Sequence, residues 1–190
     1  MIRQKVFGLG LSKTGTTSLA AALNTLGIKT IWYPHDEKTL AELRSGVYRL
    51  SILEEYDGAV DTPIVPYYAQ LDNVYPNSKF ILTIREKNSW LRSAENHWKG
   101  ATTGRNIRLD SFREFIRSAV YGTVVFNPDR FSWVYDTHER NVRQYFEDRP
   151  NDLLILDICG GEGWEKLCGF LDLETTPHIP FPHMRKSKFS

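Results

Sequence analysis

A chain of 190 residues that is 41% hydrophobic suits one globular domain spanning 1–190, a size that buries roughly 70% of the unfolded surface and needs neither disulfide nor structural metal. With 24 basic against 23 acidic residues the net charge is only +1, which excludes a global field for nucleic acid or an anionic membrane, so any bound anion must be held by a local cluster. Cys159 and Cys168 do not form a CxxC pair, and neither the opening MIRQKVFGLG nor any later stretch supplies a signal-peptide core or ~18 consecutive apolar residues, so the expectation is a soluble cytoplasmic protein with free thiols.

The first predicted element sets the frame for the rest. Lys5 to Gly27, KVFGLGLSKTGTTSLAAALNTLG, reads as a short apolar strand at Val6 and Phe7, a loop through Gly8, Gly10 and Gly15, and a helix over LAAALNTL. Such a loop aims backbone N–H groups and the positive end of a helix at one point, so the ligand is expected to be an anion. Gly10 and Gly15 have the spacing of the triphosphate loop GxxxxGK[ST], but Thr16 stands where its lysine belongs and the cation, Lys13, lies two residues before Gly15. Gly8, Gly10 and Gly15 do not match GxGxxG either. A plain glycine turn joining strand to helix is the bland alternative; a lysine, several hydroxyls and two glycines within eight residues argue against it.

Ile28 to Trp32 is the second candidate strand, followed by a turn at Tyr33, Pro34, His35 and Asp36 and by helices from about Glu37 to Arg44 and from Val47 to Glu55. His35 stands at a strand end, where site residues gather in open α/β sheets, although a turn histidine can equally be a solvated one. Tyr56 to Val60 leads into Asp61; Thr62 as N-cap and Pro63 at the first helical position predict a helix running to about Tyr75. Asp61 either complements that helix dipole or does chemistry. Lys79 to Ile84, KFILTI, is an apolar run suited to a buried parallel strand. It ends in Arg85, and a helix from about Asn88 carries Ser93. Arg85 and Ser93 can converge on one anion at the carboxyl edge of the sheet, or Arg85 can pair with a carboxylate. Beyond lie the loop ATTGRNIRL, a helix from Ser111 to Tyr121, the turn FNPDRF, a helix from about Trp133 to Phe146, a last strand from Asp152 to Asp157 and a last helix from Glu162 to Leu171. The aromatics of this middle region fall where an acceptor cavity would be walled, or else at helical spacing in a core. The expected architecture is a three-layer α/β domain with a mainly parallel sheet, strands near Val6, Ile28, Ala59, Phe80 and Leu154, and a P-loop-type strand, loop and helix at its start.

The loop GLSKTGTTSL together with ILTIREKNSWLRS resembles the sulfotransferases that use 3′-phosphoadenosine 5′-phosphosulfate (PAPS), and the resemblance continues through YDGAVDTPIVPYYAQLDNVYPNSKF and RNVRQYFEDRPNDLLILDICGGEGWEKLCGFL to PFPHMRKSKF. It implies that Lys13, Thr14, Gly15, Thr16 and Thr17 hold the 5′-phosphosulfate, that Arg85 and Ser93 hold the 3′-phosphate, and that Arg185, Lys186 and Lys188 correspond to a basic segment closing over it. A frayed basic end is the alternative for that tail. By the same resemblance Asp61 occupies the place of the family's base and no metal is required; 190 residues leave little chain for an elaborate acceptor domain, which favours a small-molecule or terminal-sugar hydroxyl as acceptor. Ser18 departs from the aromatic that often follows GTT and stacks on adenine. Two other readings compete: a P-loop phosphoryl-transfer enzyme in which Asp157, ending LLILD, holds Mg²⁺, and a non-catalytic nucleotide-binding protein of the same fold, against which Lys13 and Asp61 speak.

Overall fold

The computed structural model describes residues 4–102 and 111–184. Five parallel strands form one sheet in the order β2-β3-β1-β4-β5: β1 is Val6–Gly8, β2 Thr30–Trp32, β3 Gly58–Val60, β4 Lys79–Thr83 and β5 Leu153–Leu156. The period of two along each strand sends alternate side chains to opposite faces. Val6, Val60, Ile81, Leu154 and Leu156 pack beneath α1 (Thr16–Thr25) and α7 (Trp164–Phe170). Phe7, Leu9, Ala59, Phe80 and Leu82 face the other way, onto α2 (Glu37–Arg44), α3 (Tyr68–Val74), α5 (Ser111–Tyr121) and α6 (Pro128–Tyr145). Helices on both faces of a parallel sheet give the three-layer α/β arrangement.

A third apolar cluster lies under α4 (Lys87–Thr102). Trp90 and Trp98 pack there with Tyr121, Phe131, Val134 and Tyr135. Tyr121 stacks on Phe131 at 4.5 Å, and Trp90 lies 4.7 Å from Tyr135. Phe112 joins the core on the α2 side. Of the middle-region aromatics, Phe112, Tyr121, Phe131 and Tyr135 therefore serve as packing, while Trp133 is 55% exposed.

Three boundaries depart from the sequence pattern. The segment from Val47 to Glu55 forms only a 3₁₀ turn at Ser51–Glu54, because Leu50 and Leu53 must both reach the core within four residues. Thr62 and Pro63 do not start a helix. The chain first turns at Asp61, whose φ is 84°, and passes through a 3₁₀ turn at Val65–Tyr67 that holds Pro66 before α3 begins. In contrast, α6 starts earlier than Trp133: Asn127 accepts the Arg130 N–H at 2.8 Å as N-cap and Pro128 takes the first turn.

The strand order has a switch point. The loop after β1 leads to α1 on one face, and the loop after β4 leads to α4 on the other, so a crevice opens between β1 and β4 at their carboxyl ends. If Asn127 caps α6 as described, Asn127→Ala will lower stability by about 1 kcal/mol. Urea unfolding should show a lower midpoint with an unchanged m value.

Candidate active site

The segment Leu9 to Gly15 crosses the mouth of that crevice. Its backbone is held at Leu9, Ser12 and Lys13. The Leu9 N–H donates to Ile81 O at 2.8 Å, Trp90 Nε1–H donates to Ser12 O at 3.0 Å, and Arg85 donates through a terminal nitrogen to Lys13 O at 3.3 Å. Thr14 turns inward, with its hydroxyl 2.7 Å from Leu11 O and 2.6 Å from the Thr83 hydroxyl, and so is engaged with the scaffold. Gly10 is required by the same closeness: a Cβ there would stand 1.7 Å from Thr83 Oγ1. Lys13 takes φ 80° and Gly15 φ 101°. A left-handed conformation costs a lysine on the order of 1–3 kcal/mol, and the surrounding hydrogen bonds offset it.

Gly15 is the N-cap of α1 and brings no side-chain cap, and the first turn holds no acidic residue. The first four N–H groups of a helix have no partner within it. Here they meet Thr16, Thr17 and the lysine of the loop, a setting suited to a phosphate or sulfate group.

Asp61 ends β3 beside this turn and is 3% exposed. Its Oδ1 accepts the Ser12 hydroxyl at 2.6 Å and the Thr62 N–H at 2.7 Å; its Oδ2 accepts the Thr16 hydroxyl at 2.5 Å and the Trp32 indole N–H at 3.0 Å. Four donors fill the carboxylate's roughly four lone-pair directions. The Tyr121 hydroxyl is buried near Ser12, and burial, followed by the charge of Asp61, pushes its pKa far above the ordinary value, so it stays protonated.

Arg85 leaves β4 on the opposite side of the loop. Tyr135 of α6 clamps its backbone, accepting the Arg85 N–H at 3.1 Å and donating to the Arg85 carbonyl at 2.5 Å. Its Nε donates to Ser89 at 3.0 Å. Ser93, the serine expected from sequence, lies one helical turn beyond Ser89 on the same face of α4. Glu86 caps that helix by accepting the N–H groups of Asn88 and Ser89, which hold its carboxyl below the usual range. Lys13, Thr16, Arg85 and Asp61 thus meet around one loop.

Other candidates lie elsewhere. His35 packs on Tyr33 and Phe112 and has Nδ1 2.9 Å from the Tyr33 carbonyl, in an exposed turn beyond β2. Asp157 closes the turn after β5 by accepting the Gly160 N–H at 2.7 Å. Arg185, Lys186 and Lys188 lie outside the described residues. The chain reaches them along α7 and α1: the Trp164 indole N–H donates to Ile179 O at 2.7 Å, and the Met184 N–H donates to the Ser18 hydroxyl at 3.0 Å. Ser18, the departure from the aromatic, therefore anchors the C-terminal strap. Among the described residues no group of three or more His, Cys, Asp or Glu side chains is placed to hold a metal ion, and no helix is long and apolar enough to cross a membrane.

Sequence reasoning missed Ser12, Trp32, Ser89, Tyr135 and His138. Only Ser89 carried a signal, four residues after Arg85 within one motif. His138 of α6 is part-buried, with Nε2 2.7 Å from Leu9 O. Since a carbonyl only accepts, Nε2 bears the proton in that contact.

A family model described as a sulfotransferase domain matches residues 5–189. The chain is 30% identical over 213 residues to a protein of Aspergillus versicolor named Ava biosynthesis cluster protein M, covering 95% of this chain and 80% of that protein. In three dimensions it is similar to a sulfotransferase from Alicyclobacillus acidocaldarius, with TM-score 0.60, 16% identity and coverage of 99% of this chain and 88% of the other. It is also similar to the mouse sulfotransferase SULT7A1 complexed with PAP, with TM-score 0.50, 14% identity and coverage of 92% and 61%.

Burial pushes the His138 pKa below its ordinary 6.5, with the Leu9 contact opposing. The unfolded chain therefore binds more protons than the folded one just below that value, and stability rises with pH there. His138 should cost nothing above about pH 7 and destabilise progressively as pH falls from about 6.5 toward 5. Urea unfolding across that window should show a decline that is shallower in His138→Gln.

Proposed function

Because the chain belongs to the sulfotransferase domain family, we propose that it transfers a sulfuryl group from PAPS to the hydroxyl of a small molecule or a terminal sugar. The observation that carries this reading is the pairing of two anion-binding centres across one crevice. The N-terminal turn of α1 with Lys13 lies on one side, Arg85 with the serine-bearing face of α4 on the other, and the Arg85 contact to the Lys13 carbonyl joins them. A nucleotide bearing phosphates at both its 5′ and 3′ ends suits such a pair; a triphosphate leaves Arg85 without a role.

When bound, the donor supplies an activated sulfuryl group on a good leaving phosphate. Lys13 and the first-turn N–H groups of α1 neutralise the charge that builds on that phosphate, as preorganised donors do in related transfers. Thr16 and Thr17 add hydroxyl donors and Gly15 lets the backbone approach. Thr14 acts one step back by holding the loop against Thr83. Arg85 and Ser93, with Ser89 beside them, bind the 3′-phosphate through charge-assisted bonds.

Asp61 is the base: it receives the acceptor's proton as the acceptor oxygen attacks sulfur in line with the leaving phosphate. Its place at the carboxyl end of β3, tied directly to Ser12 and Thr16 of the donor loop, supports the assignment. His35, in an exposed turn, packs on Tyr33 and Phe112. The phosphoryl-transfer alternative needs Asp157 turned toward a metal, whereas its carboxylate closes its own turn.

Calorimetric titration with 3′-phosphoadenosine 5′-phosphate should show tight binding without metal and weaker binding of ADP. Arg85→Ala should weaken the bisphosphate about ten- to hundredfold, the loss of one charge-assisted contact of roughly 1.5–3 kcal/mol. ATP binding that needs Mg²⁺ and is indifferent to the 3′-phosphate would overturn the assignment. In assays of PAPS turnover with a panel of hydroxyl acceptors, Asp61→Asn should cut the rate by ~10²–10⁴, the usual contribution of a general base.

A further inference from the structure

A base needs a free lone pair, and Asp61 has none to offer. Both directions on Oδ2, the oxygen nearer the helix turn, are taken by Thr16 and Trp32, and both on Oδ1 by Ser12 and Thr62. If Asp61 accepts a proton, one of these donors must first leave. The Thr62 N–H is backbone and cannot rotate away. The Trp32 indole is set by the end of β2 and packs 5.7 Å from Tyr33. The Ser12 hydroxyl lies beside the buried Tyr121 hydroxyl, and its loop carbonyl is held by Trp90.

Thr16 is the donor that can turn toward a ligand at the helix start. It is the first residue of α1, and a threonine hydroxyl in a helix has two accessible χ1 settings. Its other neighbour is the N-terminal turn where the donor's 5′-phosphate would sit, which supplies a charged acceptor in exchange. We propose that Thr16 is a positioning residue that hands its hydroxyl from Asp61 to the bound donor, so that the carboxylate becomes a proton acceptor only when the donor is in place.

This rests on the sulfotransferase reading and adds an order to it: donor first, acceptor second. With the donor absent, an acceptor hydroxyl meets a saturated carboxylate. With the donor bound, Oδ2 keeps only Trp32 and gains a vacant direction. The acceptor's O–H bond then breaks and its proton goes to Oδ2. The acceptor oxygen forms its bond to sulfur, and the sulfur–oxygen bond to the phosphate breaks, its electron pair leaving with the phosphate. The same handover makes Trp32 a reporter, because its indole N–H shares Oδ2 with Thr16 and its hydrogen bond strengthens when Thr16 leaves.

The test follows the Trp32 indole N–H by NMR in protein labelled with [¹⁵N]tryptophan, assigned through Trp32→Phe. The samples are titrated with 3′-phosphoadenosine 5′-phosphate while calorimetry reports occupancy. The indole proton should move downfield on saturation in wild type and in Thr16→Ser, which keeps the hydroxyl. In Thr16→Val it should stand near the loaded position before ligand is added and move little afterwards. A Trp32 signal that stays put in saturated wild type overturns the handover, as does an equal shift in Thr16→Val. Should Thr16→Val fail to fold, wild type and Thr16→Ser still decide the matter. No calorimetric binding of the bisphosphate to wild type would instead remove the donor assignment on which the proposal stands.

Discussion

Asp61 brings a carboxylate into a site where only 3% of the residue meets solvent. Withdrawing such a charge from water costs several kcal/mol unless protein donors replace the lost hydration. Four do, and they come from four different places: Ser12 in the loop after β1, Thr16 at the start of α1, Trp32 at the end of β2 and the backbone of Thr62. Satisfying one buried charge therefore ties β1, β2 and β3 together at their carboxyl ends. Loop, helix start and strand ends are fixed in one geometry as a by-product.

The other half of the site depends on packing. Arg85 is held by its own backbone, through the Tyr135 hydroxyl, and Tyr135 is held in turn by Trp90 and its neighbours in the aromatic cluster of α4, α5 and α6. Trp90 belongs to that cluster and also reaches the loop at Ser12. The middle helices thus do for Arg85 what Asp61 does for Thr16. Two independent devices, one electrostatic and one apolar, converge on the segment from Leu9 to Gly15.

That convergence explains how the loop keeps Lys13 in a left-handed conformation. Leu9, Ser12 and Lys13 are tethered through their backbone to β4, α4 and Arg85, so the strain is distributed over a held framework.

What could be read along the chain is what depends on neighbours in sequence. The strand, loop and helix around Gly10 and Gly15, the apolar run of β4, the bounds of α2 and α5 and the placement of Lys13, Thr16, Arg85 and Asp61 at element ends all follow from local spacing. The start of α6 was equally legible in Asn127 and Pro128, a capping pair that the turn around it obscured. Thr62 and Pro63 misled, because Asp61 must turn back to accept Ser12 and Thr16, and that requirement outweighs a helix-start signal. The serine on Arg85 is Ser89, although the motif points as readily to Ser93, since four and eight residues share one helical face. Trp32, Tyr135 and His138 carried no sequence signal at all. Their contacts, to Asp61, Arg85 and Leu9, cross 29, 50 and 129 residues, and only the stacking of strands and helices decides which side chains meet over such separations. Residue chemistry and spacing marked the start of α1 as a setting suited to an anion; the tertiary structure decided which donors hold Asp61, because a buried charge takes its partners from wherever the fold brings them.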